Sequence, residues 1–116
     1  MQRDSRAFLW DLREAGLAIQ SFTAGMDAAA YSANEMVQAA VERKFEIIGE
    51  ALNQLSKVDA VLATRIPDLA QIVAFRNQLI HGYAAVKAST VWNVTRNALP
   101  LLINAVQALL DELGSS

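Results

Sequence analysis

The stretch "NEMVQAAVERKFEIIGEALNQLS", residues 34–56, decides the fold class. Its apolar residues recur at steps of three and four, the period of a helix that buries one face. Ala and Leu dominate the chain, and no stretch alternates apolar and polar residues as a half-buried strand would. The sequence therefore predicts an all-α protein. The expected core face of this helix comprises Val37, Val41, the stem of Lys44, Ile48, Leu52 and Leu55.

Three further long helices and one short helix are predicted around it, in a single domain over residues 1–116. Pro100 should kink or divide the last helix, because it lacks an amide proton and clashes with the carbonyl of Arg96. Gly82 stands where a left-handed residue would end the preceding helix. The expected architecture is an antiparallel four- to five-helix bundle. The predicted bounds are about Ser5 to Phe22 with Asp4 or Ser5 as N-cap, a short helix capped by Asp27, about Pro67 or Asp68 to His81, and about Ser89 to Leu113.

The amino-acid composition and net charge exclude several classes of function. The chain has no cysteine and one histidine, so disulfides and thiolate metal sites are excluded, and neither a metal nor a cofactor is expected. A net charge of −2 provides no global basic field for nucleic acid, so any RNA contact must be local. The hydrophobic fraction of 53% is a surplus for a small monomer and favours a homo-oligomer. No signal peptide or membrane span is recognised, and a cytoplasmic protein is expected.

A polar cluster lies at the end of the predicted third helix, in the stretch "AFRNQLIHGYAAV". On a helical wheel, Arg76 falls in the middle of the apolar sector, where a guanidinium must be paired or must line a cleft. Asn77 and His81 are four residues apart and share a second strip of the helix. Tyr83 follows just past the helix end. The cluster raises the question of whether these residues serve packing or chemistry.

Both interpretations have physical support. A lone histidine near a helix end is often a cap, an arginine on an apolar face is often a structural ion pair, and a tyrosine after a helix usually packs. As a set, however, the residues suit an RNA phosphate: Arg76 can hold two phosphate oxygens, His81 can transfer a proton and Asn77 can orient the substrate. A second histidine would come from a twofold dimer whose third helices face each other along the small residues Ala70 and Ala74.

An acidic stripe runs along the second long helix at Glu42, Glu46 and Glu50. It is either a solvated face or a surface that pairs with a cation or a basic partner. The wheel places the stripe roughly opposite the apolar face of the helix. Pairing of Glu46 or Glu50 with Arg76 is therefore expected to be awkward within one chain and easier across an interface.

The segment "RNQLIHGY" has the form Arg-polar-three residues-His-x-Tyr, which resembles the signature of the HEPN superfamily. It is most similar to the HepT-like ribonuclease toxins of bacterial toxin–antitoxin pairs. The resemblance extends to "VERKFEIIGEAL", "FTAGM" and "VWNVTRNALPLL", and so covers nearly the whole chain.

This resemblance implies an HEPN-like helical homodimer with the active cleft at the dimer interface. The activity it implies is that of a metal-independent endoribonuclease toxin. Arg76 and His81 would be the catalytic pair, with Asn77 as the polar neighbour of the arginine. Glu46 and Glu50 match family positions that line or support the cleft.

The resemblance also implies regulation by a partner. Tyr83 matches the tyrosine that receives adenylyl groups in members paired with a small, MntA-like nucleotidyltransferase antitoxin. Such a modification would add negative charge and bulk beside Arg76. Two other functions stay open at this point: a non-catalytic module that binds a nucleotide for a nucleotidyltransferase, and a purely structural helical dimer.

Overall fold

The computed structural model describes residues 4–81 and 86–114. Within these residues the chain forms α-helices, one π-helical turn and connecting turns, with no strand, which confirms the all-α prediction. The π turn, Val94–Ala98, separates the last two helices. The α-helices are α1 (Ser5–Phe22), α2 (Ala28–Ser32), α3 (Glu35–Val58), α4 (Ala60–Ala63), α5 (Leu69–His81), α6 (Ala88–Asn93) and α7 (Leu99–Gly114).

Short polar side chains begin four of these helices. Asp4 caps α1 by accepting the backbone N–H of Arg6 at 2.8 Å, and Asp27 caps α2 through the N–H of Ala30 at the same distance. The same bond, at 3.0 Å, joins Asn34 to the N–H of Val37 at the start of α3 and Asp59 to that of Leu62 in α4. Each cap satisfies an amide that has no partner inside its helix.

Helix α1 lies between α3 and α7 and runs antiparallel to both. Its start meets the end of α3, where the hydroxyl of Ser5 donates to Asp59. Farther along, Arg13 donates to Gln107 of α7, and Gly16 lies against Ile103. The absence of a side chain at Gly16 lets α7 come close, because a Cβ there would stand 2.8 Å from Cγ1 of Ile103.

The buried face of α3 is wider than predicted. Phe45 is 1% exposed and meets the ring of Phe75 edge-on, with ring centroids 5.3 Å apart. Val37 and Lys44 are only partly buried. The difference arises because both α1 and α5 pack on α3, so its apolar contacts span more than one side. Its fully buried side chains include the predicted Val41, Ile48, Leu52 and Leu55.

Two details of the chain path refine the predicted helix bounds. Helix α5 begins at Leu69, because Asp68 has a φ of 58° and so lies outside the right-handed helical region. The predicted break near Pro100 takes the form of the π turn immediately before α7. Proline has no N–H to offer the carbonyl four residues earlier, and the wider turn shifts the hydrogen-bond register around it.

The described helices include none long and apolar enough to cross a membrane. The same residues hold no group of three or more His, Cys, Asp or Glu side chains that could bind a metal ion.

Candidate functional site

Arg76 lies where α5 crosses α3, and its position depends on a glycine. A Cβ on Gly49 would stand 2.2 Å from Cβ and 2.3 Å from Cγ of Arg76, and 3.0 Å from its Cδ. The stem of Arg76 therefore rests directly on the backbone of α3. The side chain is 21% exposed, which agrees with the predicted placement of this arginine on an apolar face.

Two polar neighbours hold the guanidinium head. Nη2 of Arg76 donates to Oε2 of Glu50 at 2.5 Å, and Nη1 donates to Oδ1 of Asn77 at 3.0 Å. Gln54 in turn donates to the other carboxylate oxygen of Glu50 at 3.0 Å. The chain of contacts orients the planar guanidinium between two elements, since Glu50 comes from α3 and Asn77 from α5.

The Nε atom of Arg76 is buried, and none of the described residues accepts a hydrogen bond from it. A buried N–H without an acceptor is costly, by about 1–3 kcal/mol. Such groups occur at sites where the missing acceptor is a water, an ion or a ligand. The guanidinium therefore retains capacity for a further acceptor beyond Glu50 and Asn77.

The ion pair between Arg76 and Glu50 forms within one chain, so the expectation that such pairing is awkward was wrong. The prediction from the helical wheel assumed that α3 buries a single face. Because α1 and α5 cover two sides of α3, Glu50 is close enough to the α3–α5 crossing to reach Arg76. Glu46 lies one turn earlier and pairs with Arg43 at 3.1 Å.

A groove of about 310 Å³ opens beside Arg76. Its lining combines apolar side chains with arginines and carboxylates. Its carboxylates outnumber its arginines by three to two, so its field is not uniformly basic. The lining comes from α1, α3 and α5 and comprises Phe8, Asp11, Arg43, Glu46, Ile47, Glu50, Ala51, Gln54, Arg76 and Ile80.

Glu42, the third member of the acidic stripe, is not among the groove-lining residues. Partial burial, followed by the negative charge of Glu46, raises the pKa of Glu42 above its ordinary value. The stripe therefore divides into two parts: Glu46 and Glu50 at the groove, and Glu42 beyond it.

His81 is the last residue of α5, and its side chain is exposed. It follows Arg76 by five positions, which places the two about 140° apart around a helix of 3.6 residues per turn. His81 shares a strip of α5 with Asn77 and with the exposed Ala70 and Ala74, as predicted. One chain thus brings Arg76 together with Asn77 and Glu50, whereas His81 lies on the far side of Asn77, about 140° around α5 from Arg76.

Two sequence predictions fall on residues 82–85, which lie outside the described residues. These are the left-handed position of Gly82 and the placement of Tyr83 near Arg76.

Sequence reasoning missed Gly49 as part of the site. The available signal was the glycine itself, because glycine in the interior of a long helix costs about 1 kcal/mol relative to alanine. A glycine kept at that cost often marks a close approach by another element.

Comparison with known proteins identifies the family. The family described as "Ribonuclease HepT-like" matches residues 12–109, and the chain belongs to it. Two similar proteins from Methanocaldococcus jannaschii are named "Putative RNase MJ1216" and "Putative RNase MJ0125"; each is 30% identical over 97% of this chain and over 92% and 96% of its own length. "Probable ribonuclease HepT" from Thermococcus cleftensis is 30% identical over 88% of this chain and 92% of its own. No solved structure gave a significant match.

Proposed function

We propose that the protein is a metal-independent endoribonuclease that acts in the cytoplasm as the toxin of a toxin–antitoxin pair. Its active site would be shared between two copies of the chain. The observation that carries this proposal is Arg76, a guanidinium seated in an apolar crossing, lining a groove and keeping a buried N–H without an acceptor. Membership of the HepT-like family and the names of the similar proteins support ribonuclease activity.

The chemistry requires only side chains of the kinds this cluster supplies. A base removes the proton of the ribose 2′-hydroxyl, and the resulting oxygen attacks the adjacent phosphorus. The P–O5′ bond breaks, and an acid protonates the departing 5′ oxygen. Arg76 stabilises the negative charge that grows on the phosphate, Asn77 holds the guanidinium, and His81 is assigned as the proton-transfer group.

A second subunit would complete this set. The reaction needs a base and an acid, and each chain contains a single histidine. On the strip formed by Ala70, Ala74, Asn77 and His81, the two alanines and the histidine are exposed in one chain, and the alanines leave room for a second helix. If two such strips meet across a twofold axis, both His81 rings and both Arg76 grooves come to one cleft.

The proposed partner is a nucleotidyltransferase antitoxin that adenylylates Tyr83. Tyr83 stands two residues after His81 in the chain, so a phosphate on its hydroxyl would add negative charge close to the proposed catalytic groups. Such a group would compete with RNA for Arg76. Intact mass of the protein produced together with a neighbouring nucleotidyltransferase tests this part of the proposal through the gain of an adenylyl group on Tyr83.

The activity itself is tested by incubating the purified protein with varied RNAs in excess EDTA. The expected products carry 2′,3′-cyclic phosphate and 5′-hydroxyl ends, because the attacking oxygen is the 2′-hydroxyl. RNA in which the ribose 2′-hydroxyl is methylated should stay intact. Unmodified RNA that survives over a broad pH range would refute the ribonuclease proposal.

A second candidate is a non-catalytic module that presents a nucleotide to a nucleotidyltransferase. The excess of carboxylates in the groove favours it, because a polyanionic RNA is repelled by Asp11, Glu46 and Glu50 more than a single nucleotide is. Calorimetry separates the candidates. Nucleotide binding without RNA cleavage supports the module, and cleavage of RNA supports the enzyme.

A further inference from the structure

The contact between Gly49 and Arg76 is closer than any that a side chain at position 49 would allow. The ideal Cβ at Gly49 overlaps the first two carbons of the arginine stem, at 2.2 and 2.3 Å, whereas ordinary contacts begin near 3.4 Å. Cβ of Arg76 is bonded to the backbone of α5, so no side-chain rotation can move it away from position 49. A methyl group at position 49 would therefore displace Arg76 by about 1 Å, the scale on which misplacement of a reacting group costs about 100-fold in rate.

The neighbouring contacts show what that displacement would disturb. Glu50 follows Gly49 in α3, so the residue beneath the stem and the residue that accepts from the head are adjacent in sequence. Moving the stem changes the distance from Nη2 to Glu50 and from Nη1 to Asn77 together. Gly49 thus sets the depth at which the guanidinium sits in the groove.

The chain provides a matched comparison at Gly16. This residue is also a buried glycine inside a long helix, and its missing Cβ would stand 2.8 Å from Cγ1 and 3.0 Å from Cδ1 of Ile103. Those contacts are longer than the 2.2 Å at Gly49 and involve no Cβ, and neither Gly16 nor Ile103 lines the groove. Replacing either glycine with alanine favours the helix equally, so only the neighbour differs.

We propose that Gly49 is a positioning residue of the ribonuclease: by lacking a Cβ it fixes where Arg76 presents its guanidinium to the RNA phosphate. The inference rests on the proposed function and deepens it. Gly49 touches no substrate in this account and acts only through Arg76. Its effect should therefore appear in kcat more than in KM, because stabilisation of the transition state depends on alignment more strongly than substrate binding does.

The test compares Gly49→Ala with Gly16→Ala in the full chain. Circular dichroism establishes that each variant folds, and cleavage of an RNA oligonucleotide measures kcat and KM separately. The expected result is a fall of about 100-fold in kcat for Gly49→Ala and a change of less than about threefold for Gly16→Ala. Equal activity of the two variants would overturn the inference alone. Inactivity of the unchanged protein would overturn the proposed function and this inference with it.

A second pair of variants keeps the test decisive if Gly49→Ala does not fold. Arg76→Gly removes the stem that the new methyl group would strike, so Gly49→Ala combined with Arg76→Gly should fold. Added guanidinium ion should restore cleavage to the single variant Arg76→Gly and to the double variant equally. A double variant that stays unfolded, or is restored at least tenfold less than Arg76→Gly, would contradict a role exerted through Arg76.

Discussion

Nη2 of Arg76 lies 2.5 Å from Oε2 of Glu50 in the same chain, so the groove contains both a cation and an anion that competes for it. The carboxylate is 48% exposed and therefore can leave the guanidinium at little cost. An RNA phosphate that binds Arg76 must either replace Glu50 or bind beside it. The Arg76–Glu50 ion pair therefore holds the guanidinium in place in the free protein and competes with the phosphate in the proposed reaction.

Glu50→Gln should tighten RNA binding. The amide oxygen of glutamine can still accept from Nη2 of Arg76, while the negative charge that repels phosphate is gone. We expect KM for RNA to fall about fivefold at low salt, with kcat little changed. The difference should shrink as salt is raised, because exposed charges are screened.

The matched control for this variant is Glu112→Gln. Glu112 pairs with Arg65 at 2.5 Å, is as exposed as Glu50, and does not line the groove. Glu112→Gln should leave the KM for RNA unchanged. A higher KM in Glu50→Gln would show that the carboxylate supports RNA binding rather than competing with it.

Glu42→Gln should stabilise the protein at neutral pH and not in acid. The pKa of Glu42 is raised by burial and by Glu46, so the folded state holds the proton of Glu42 more tightly than the unfolded state does. Below its ordinary pKa of 4.5, Glu42 is protonated in both the folded and the unfolded state and costs no stability. As pH rises through the raised pKa of the folded state, Glu42 must ionise where it is partly buried, and the free energy of unfolding falls. Thermal melting should give a higher Tm for the variant at pH 7 and equal Tm values at pH 4. A lower Tm at pH 7 would contradict this assignment.

Ile48→Ala should cost about 2–5 kcal/mol of unfolding free energy, because Ile48 is fully buried where α3 meets the core. Val61→Ala is the control, since Val61 is 79% exposed on α4 and should change stability by less than about 0.5 kcal/mol. Urea unfolding followed by circular dichroism measures both. Similar losses in the two variants would be incompatible with this packing of α3.

Ala74→Cys tests the facing of two α5 helices. The chain has no cysteine, so a single introduced thiol can only form a disulfide with a second copy. Ala74 is exposed on the strip that contains His81, and two such positions near a twofold axis can meet the 4.4–6.8 Å Cα separation of a disulfide. Mild oxidation should give a covalent dimer on a non-reducing gel. Val61→Cys should stay monomeric on the same gel, and the reverse pattern would place the interface elsewhere.

Much of the fold follows from local chemistry and could be predicted. Asp4 and Asp27 indicate where α1 and α2 begin, because an N-cap depends only on a few neighbouring backbone amides. The periodicity of residues 34–56 likewise identifies α3 without knowledge of its partners. The break before α7 follows from the single missing N–H of Pro100.

The site was predictable only in its residue types. Arg76 stood out as a charge on an apolar face, and the structure places it largely buried at a helix crossing. Its contact with Gly49 and its ion pair with Glu50 depend on where α5 crosses α3, which no local pattern specifies. The helical-wheel prediction that Glu50 could not easily pair with Arg76 within one chain was wrong because it assumed that α3 packs on one side only.

Comparing two single variants with the unchanged protein is the sharpest test of the proposal that Arg76 and His81 cleave RNA together. Cleavage of one RNA in EDTA is followed for the unchanged protein, Arg76→Met and His81→Ala, each first shown to be folded and in the same oligomeric state. Methionine keeps an apolar stem over Gly49, so a loss of activity reflects the guanidinium. Each variant is expected to lose at least about 100-fold in rate. Cleavage by Arg76→Met or by His81→Ala at the rate of the unchanged protein would contradict the proposal.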